Sequence, residues 1–127
     1  DVVGDIHGEY DALVALLEAL GYDTDGRHAQ GRTLVFVGDL CDRGPDSVQV
    51  MLLVEQLVRC AAARCILGNH ELNLLRDDAK DGSGWFFEAR APLDARYGPM
   101  RRPTDAQRAR IIAFARDLPL VLDGSAS

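Results

Sequence analysis

Apolar positions along the 127-residue chain fall into short blocks that end at glycine, and the period within each block changes from one block to the next. Val2-Val3 reads as a short strand. From about Tyr10 to Leu20, residues Leu13, Val14, Leu16, Leu17 and Leu20 recur at helical spacing, and Gly21 closes that helix as a C-terminal cap. A polar loop over 22–32 leads into Thr33–Val37, whose β-branched and aromatic content predicts a buried strand ended by Gly38. Pro45, Asp46 and Ser47 open a second helix to about Arg59, carried by Val48, Met51, Leu52, Val54, Leu57 and Val58. Arg64–Leu67 is a third strand, stopped by Gly68.

The strand ends at Gly4, Gly38 and Gly68 stand 34 and 30 residues apart. This is the spacing of βαβ units, and it predicts an α/β fold with adjacent parallel strands in a βαβαβ order. A helix is expected over Glu71–Asp78, then a loop over 79–84 and a segment from Trp85 to Pro103 with no clear period. Thr104 with Gln107 forms a capping box for a final helix to Asp117, ended by Pro119. Leu118–Leu122 reads as the approach to another strand. Asp1 opens directly on Val2-Val3 and the sequence stops in Gly124–Ser127, so the expectation is one domain over 1–127, truncated at both ends.

Composition narrows the function. With 47% hydrophobic residues the chain can bury a core, while a formal charge of −6 gives no electrostatic footprint for nucleic acid or an anionic membrane. The longest apolar run, Val50–Val54, is far too short to span a bilayer. Cys41, Cys60 and Cys65 are odd in number and form no C-x-x-C, which fits a reducing, cytoplasmic compartment.

Each predicted strand ends in Gly followed at once by an oxygen ligand: Gly4-Asp5, Gly38-Asp39, Gly68-Asn69. In a parallel sheet the carboxyl ends share one edge, where open α/β sheets bind ligands. His7 lies two residues after Asp5 and so on the same side of an extended segment. Asp5, His7, Asp39 and Asn69 together form a mixed N/O set suited to Mn²⁺, Fe or Zn²⁺. Arg43 follows Asp39 by four residues, where its guanidinium can fork onto two phosphate oxygens. Asp42 is placed to fix the tautomer of His70, and an imidazole so held is a general acid for a leaving oxygen. Each feature alone has a bland reading as a turn or a surface residue. Their recurrence at three equivalent strand ends makes the joint reading far stronger.

The blocks Gly4-Asp-Ile-His-Gly8, Gly38-Asp-Leu-Cys-Asp-Arg-Gly44 and Gly68-Asn-His-Glu71 resemble the first three signatures of the calcineurin-like metallophosphoesterases, in the phosphoprotein phosphatase branch that includes diadenosine tetraphosphatases. The resemblance covers residues 1 to about 71. It implies an α/β/β/α sandwich of which this chain is the N-terminal part, and a centre of two divalent ions, Mn²⁺ first, with Fe or Zn²⁺ as alternatives. Asp5, His7 and Asp39 would hold the first ion, with Asp39 bridging to a second that also takes Asn69. Arg43, Asn69 and His70 would meet the substrate, and His70 with Asp42 would serve the leaving group. The implied activity is phosphoester hydrolysis by a metal-bridging hydroxide. A phosphorylated protein or small phosphoester is the first expectation for the substrate. The alternatives are a dinucleoside tetraphosphate or, in a truncated product, non-catalytic binding of phosphate or a partner.

The chain departs from the family in lacking two further histidine ligands after the third block. Its one remaining histidine, His28, lies in the loop before the second strand. Three other features read as structural. Asp23-Thr-Asp25-Gly26 is expected to be a turn. Asp77, Asp81, Gly82 and Glu88 match a calcium loop too poorly to be one, since Ala79 fills a ligand position. Trp85-Phe86-Phe87 could floor a substrate groove, but packing is the default for an aromatic cluster. Cys41 is expected as a small packed side chain, with a redox role the lesser reading.

Overall fold

The structure is a computed structural model that describes residues 1–120. Its elements alternate as expected: β1 (Val2–Val3), α1 (Tyr10–Ala19), β2 (Leu34–Phe36), α2 (Ser47–Arg59), β3 (Ala63–Cys65), α3 (Asn69–Leu75) and α4 (Asp105–Asp117). The strands form one parallel sheet in the order β1-β2-β3, with Val3 beside Phe36 and Phe36 beside Cys65. Two short 3₁₀ turns, Glu88–Arg90 and Ala95–Tyr97, interrupt the connection before α4. Among the described residues no helix is long and apolar enough to cross a membrane.

Burial follows the two-residue period of the strands. Leu34, Phe36, Ala63 and Cys65 face the core with Leu57, Val54 and Met51 of α2, whereas Val37 is well exposed. A sandwich with a second layer leads one to expect Val35, Val37, Cys65 and Leu67 on the face turned toward that layer, and Cys65 departs from this expectation. Register pairs Val35 with Arg64, which places Cys65 beside Phe36 on the helix-covered face. The second sheet of the expected sandwich has no counterpart among the described residues.

Caps fix the helix limits. Asp46 accepts the Gln49 N–H at 3.0 Å to start α2, and Thr104 with Gln107 makes the reciprocal box of α4 at 3.1 and 2.9 Å. The helix expected from Glu71 starts two residues earlier, because the Glu71 side chain turns back to accept the Gly68 N–H at 3.2 Å. Asn69 and His70 consequently sit in the first turn of α3. Residues 118–120 form no strand, although the Pro119 carbonyl accepts the Leu67 N–H at 2.7 Å; residues 121–122 of that expected segment lie outside the described residues.

Glu55, buried on α2, accepts Arg59 on its own helix at 3.2 Å and Arg110 of α4, tying the two helices. Phe36 is fully buried at the centre of the sheet, so Phe36→Ala should lower unfolding stability by about 3–5 kcal/mol in urea titration.

Candidate metal and phosphate site

Three loops leave the carboxyl ends of β1, β2 and β3 and interlock through the backbone. The His7 and Gly8 amides donate to the carbonyls of Asp39 and Leu40 at 3.1 and 2.8 Å, and the Asp46 amide donates to Gly8 at 3.0 Å. Glycine is needed where these loops cross: a Cβ on Gly68 would lie 2.4 Å from the Asp39 amide nitrogen, and one on Gly44 2.1 Å from the His7 carbonyl. The crossing also forces Asp5, His7, Asp39, Asp42 and Arg43 into the left-handed region, with φ of 54°, 46°, 54°, 78° and 74°. Non-glycine residues resist that region, and such strain concentrates at sites of function.

What holds this arrangement is Glu71. It is fully buried, and its Oε1 accepts the amides of Asp39 at 2.7 Å and Gly68 at 3.2 Å. Its Oε2 accepts the Leu40 amide at 2.9 Å and the Cys41 thiol at 3.2 Å. Burial pushes the Glu71 carboxyl up despite these donors. The Cys41 thiol is likewise pushed up, first by its own burial and then by Glu71 and Asp42. Cys41 is thus a buried donor rather than a thiolate, in line with the packing reading. The sequence contained Glu71 only as the last letter of the third block, because no periodicity marks a side chain that bonds backbone of a distant loop.

His7 donates from Nδ1 to the Cys41 carbonyl at 3.0 Å, since only a proton on that nitrogen satisfies a carbonyl. In the neutral ring Nε2 is then a lone pair, and it stands 3.9 Å from Asp5 Oδ1. A cation between the two acceptors would satisfy both, and a backbone carbonyl on the far ring nitrogen is the usual support of a metal-binding histidine. Asp39 lies alongside, its Oδ1 3.4 Å from the His70 amide, and Asn69 is exposed at the start of α3. Among the described residues no three His, Cys, Asp or Glu side chains are closed up as a ligand set. The donor types at this edge fit a hard divalent ion, with Asp5 and His7 the pair already facing.

Next to this pair, His70 donates from Nδ1 to Asp42 Oδ2 at 2.8 Å, and its ring meets His7 edge-on at 4.6 Å between centroids. Asp42 is fully buried, and its other oxygen accepts the indole N–H of Trp85 at 2.6 Å. The Arg43 amide is fixed on the Gly82 carbonyl at 2.8 Å, while its side chain is exposed and without a hydrogen-bond or ion-pair partner among the described residues.

The aperiodic segment is thereby built into the site. Asp94, buried, grips the Gly82 and Gly84 amides at 3.0 and 2.7 Å and pairs with Arg90 at 2.9 Å. Burial raises its carboxyl, but these hydrogen bonds leave it below the usual aspartate range. Asp81 bonds Arg90, Arg96 and Tyr97 rather than shaping a calcium loop. His28 lies apart from the site: it donates to the Leu20 carbonyl at 2.9 Å and accepts the Gln30 amide at 3.0 Å, so both nitrogens are engaged. Asp23 closes the expected turn, accepting the Asp25 and Arg27 amides at 2.9 Å each.

A model of the calcineurin-like phosphoesterase family matches residues 1–116. The asymmetrical bis(5′-nucleosyl)-tetraphosphatase of Halalkalibacterium halodurans is 46% identical over 121 residues, which is 93% of this chain and 48% of that protein. A solved structure described as a putative diadenosine tetraphosphatase superposes with a TM-score of 0.55 at 33% identity, over 93% of this chain and 41% of its own. The cold-active protein-tyrosine phosphatase of a psychrophilic Shewanella species superposes with a TM-score of 0.56 at 25% identity, over 89% and 36%. The chain spans half or less of the length of these relatives.

Two outcomes test the site's construction. Glu71→Gln places an amide N–H₂ against backbone donors and should cost about 3 kcal/mol of stability by chemical denaturation, with loss of amide protection at 39–41. A depressed carboxyl stabilises the fold above its unfolded pKa and loses that contribution as pH falls through its folded value. The stability that Asp94→Asn costs at neutral pH, read by urea titration, should therefore stay constant down to the usual aspartate value of 3.8 and shrink only below it.

Proposed function

The chain belongs to the calcineurin-like phosphoesterase family, whose members use a dinuclear divalent metal centre, and from that premise we propose that the protein containing it hydrolyses dinucleoside tetraphosphates at the edge formed by residues 5–8, 38–44 and 68–71. The observation that carries the reading is the Asp42–His70 pair, a buried carboxylate holding Nδ1 so that Nε2 is presented beside His7. The tetraphosphatase relatives favour this substrate class over the phosphorylated protein or small phosphoester first expected from the sequence, an order toward which the net charge of −6 also inclines. Charge summed over a chain is a weak guide where a site carries its own cations.

In this reading Asp5, His7 and Asp39 would hold one ion, and Asp39 with Asn69 would contribute to a second. Bound there, divalent ions would supply Lewis acidity toward phosphoryl oxygens and water. Arg43, exposed and without an ion-pair partner among the described residues, on a strained, fixed backbone, forks onto nonbridging phosphoryl oxygens and strengthens its hold as charge develops. His70 delivers the Nε2 proton to the departing oxygen, while Asp42 keeps the ring oriented and stabilises its cationic form before transfer. The strained φ values fix these groups ahead of substrate binding, which removes part of the ordering cost from the reaction.

The experiment is a comparison of kcat/KM for diadenosine tetraphosphate and a phosphoserine peptide with the metal-loaded full-length protein. A large excess for the dinucleotide is expected; an excess for the peptide transfers the site to phosphoprotein dephosphorylation. His70→Asn should lower kcat ~10²- to 10⁴-fold with metal content intact. Arg43→Ala should weaken inhibition by inorganic phosphate about tenfold, and unchanged inhibition would remove Arg43 from the site.

A further inference from the structure

A buried carboxylate keeps one direction only when both of its oxygens are engaged. Asp42 Oδ2 is occupied by His70, and Oδ1 by Trp85. We propose that Trp85 is a positioning residue for the Asp42–His70 pair, acting through Asp42 Oδ1; this rests on the reading of His70 as the acid that serves the leaving oxygen.

The chemistry of the indole suits the task. It is a donor only, so it neither takes a proton from Asp42 nor competes with His70 for one, and it is neutral, so the negative charge of Asp42 stays available to the imidazole. A guanidinium at the same place would neutralise that charge. Without the indole, Oδ1 loses the 2.6 Å donor that fixes its direction, and the buried carboxylate is freer to turn about χ2 away from His70.

Nor can the indole withdraw. Trp85 is fully buried, and the turn that carries it is fastened on both sides: Asp94 holds the Gly82 and Gly84 amides, and the Ser83 carbonyl accepts the Phe86 and Phe87 amides at 3.0 and 2.9 Å. The same turn receives the Arg43 amide on Gly82, and a Cβ on Gly82 would lie 2.5 Å from Arg43 Cγ. A segment that contributes no reacting group thus sets the direction of two that do.

The test uses the metal-loaded full-length protein with Trp85→Phe, which keeps the ring and removes the donor, and with His70→Asn as control. Turnover is measured on phenyl phosphate, whose leaving group needs an acid, and on p-nitrophenyl phosphate, whose leaving group needs it far less. Trp85→Phe should lower kcat about tenfold on the first and less than twofold on the second, with KM and bound metal unchanged. Equal losses on both, while His70→Asn discriminates between them, would reduce Trp85 to packing. A His70→Asn variant that fails to discriminate overturns the acid reading, and the role of Trp85 with it. Independently of turnover, the Trp85 indole N–H resonance, assigned by triple-resonance NMR of the unsubstituted protein, should move upfield in Asp42→Asn. A resonance that does not move overturns the contact, and this measurement stands even where Trp85→Phe does not fold.

Discussion

One buried carboxylate organises this molecule. Glu71 receives the amides of Asp39, Leu40 and Gly68 and the thiol of Cys41, and so joins the end of β2 to the end of β3 at the point where both carry chemistry. A charge without solvent is stable only when its oxygens are saturated. The backbone donors that saturate it belong to the loops whose geometry the site requires, so the need to satisfy Glu71 and the need to fix Asp39 are met by the same contacts. Left-handed φ at Asp5, His7, Asp39, Asp42 and Arg43 is the strain those contacts sustain.

From this junction the site extends outward in two directions. Toward β1, the His7 ring is oriented by the carbonyl of Cys41, itself held by Glu71, and turns Nε2 to Asp5. Toward the connection before α4, Asp42 is oriented by Trp85 and holds His70, which itself starts the helix that Glu71 caps. The Asp5–His7 pair and the Asp42–His70 pair are therefore two ends of one hydrogen-bonded framework. The edge contact between the His7 and His70 rings is where those ends meet.

Much of this was legible in the sequence because it depends on local rules. The glycine-to-glycine spacing gave the βαβ order, Thr104 and Gln107 marked the start of α4, and Asp42 with His70 emerged as a pair from loop position alone. What escaped depends on distant partners. Glu71 and Trp85 reach backbone and side chains 30 to 43 residues away. Asp94 stabilises a turn ten to twelve residues earlier, and the face of Cys65 follows from the register against Val35 and Phe36. Neither periodicity nor composition encodes such pairings, and the segment from Trp85 to Pro103 was opaque for that reason.

We propose that the edge formed by Asp5, His7 and Asp39 binds a divalent ion through the second nitrogen of a carbonyl-oriented histidine. Anomalous diffraction from crystals of the full-length protein soaked in Mn²⁺ tests it directly. The expected result is a peak within ligand distance of His7 Nε2 and the Asp5 carboxylate, with His7 Nδ1 still on the Cys41 carbonyl and His70 still on Asp42. Anomalous density that lies elsewhere in a protein retaining metal-dependent turnover would contradict it.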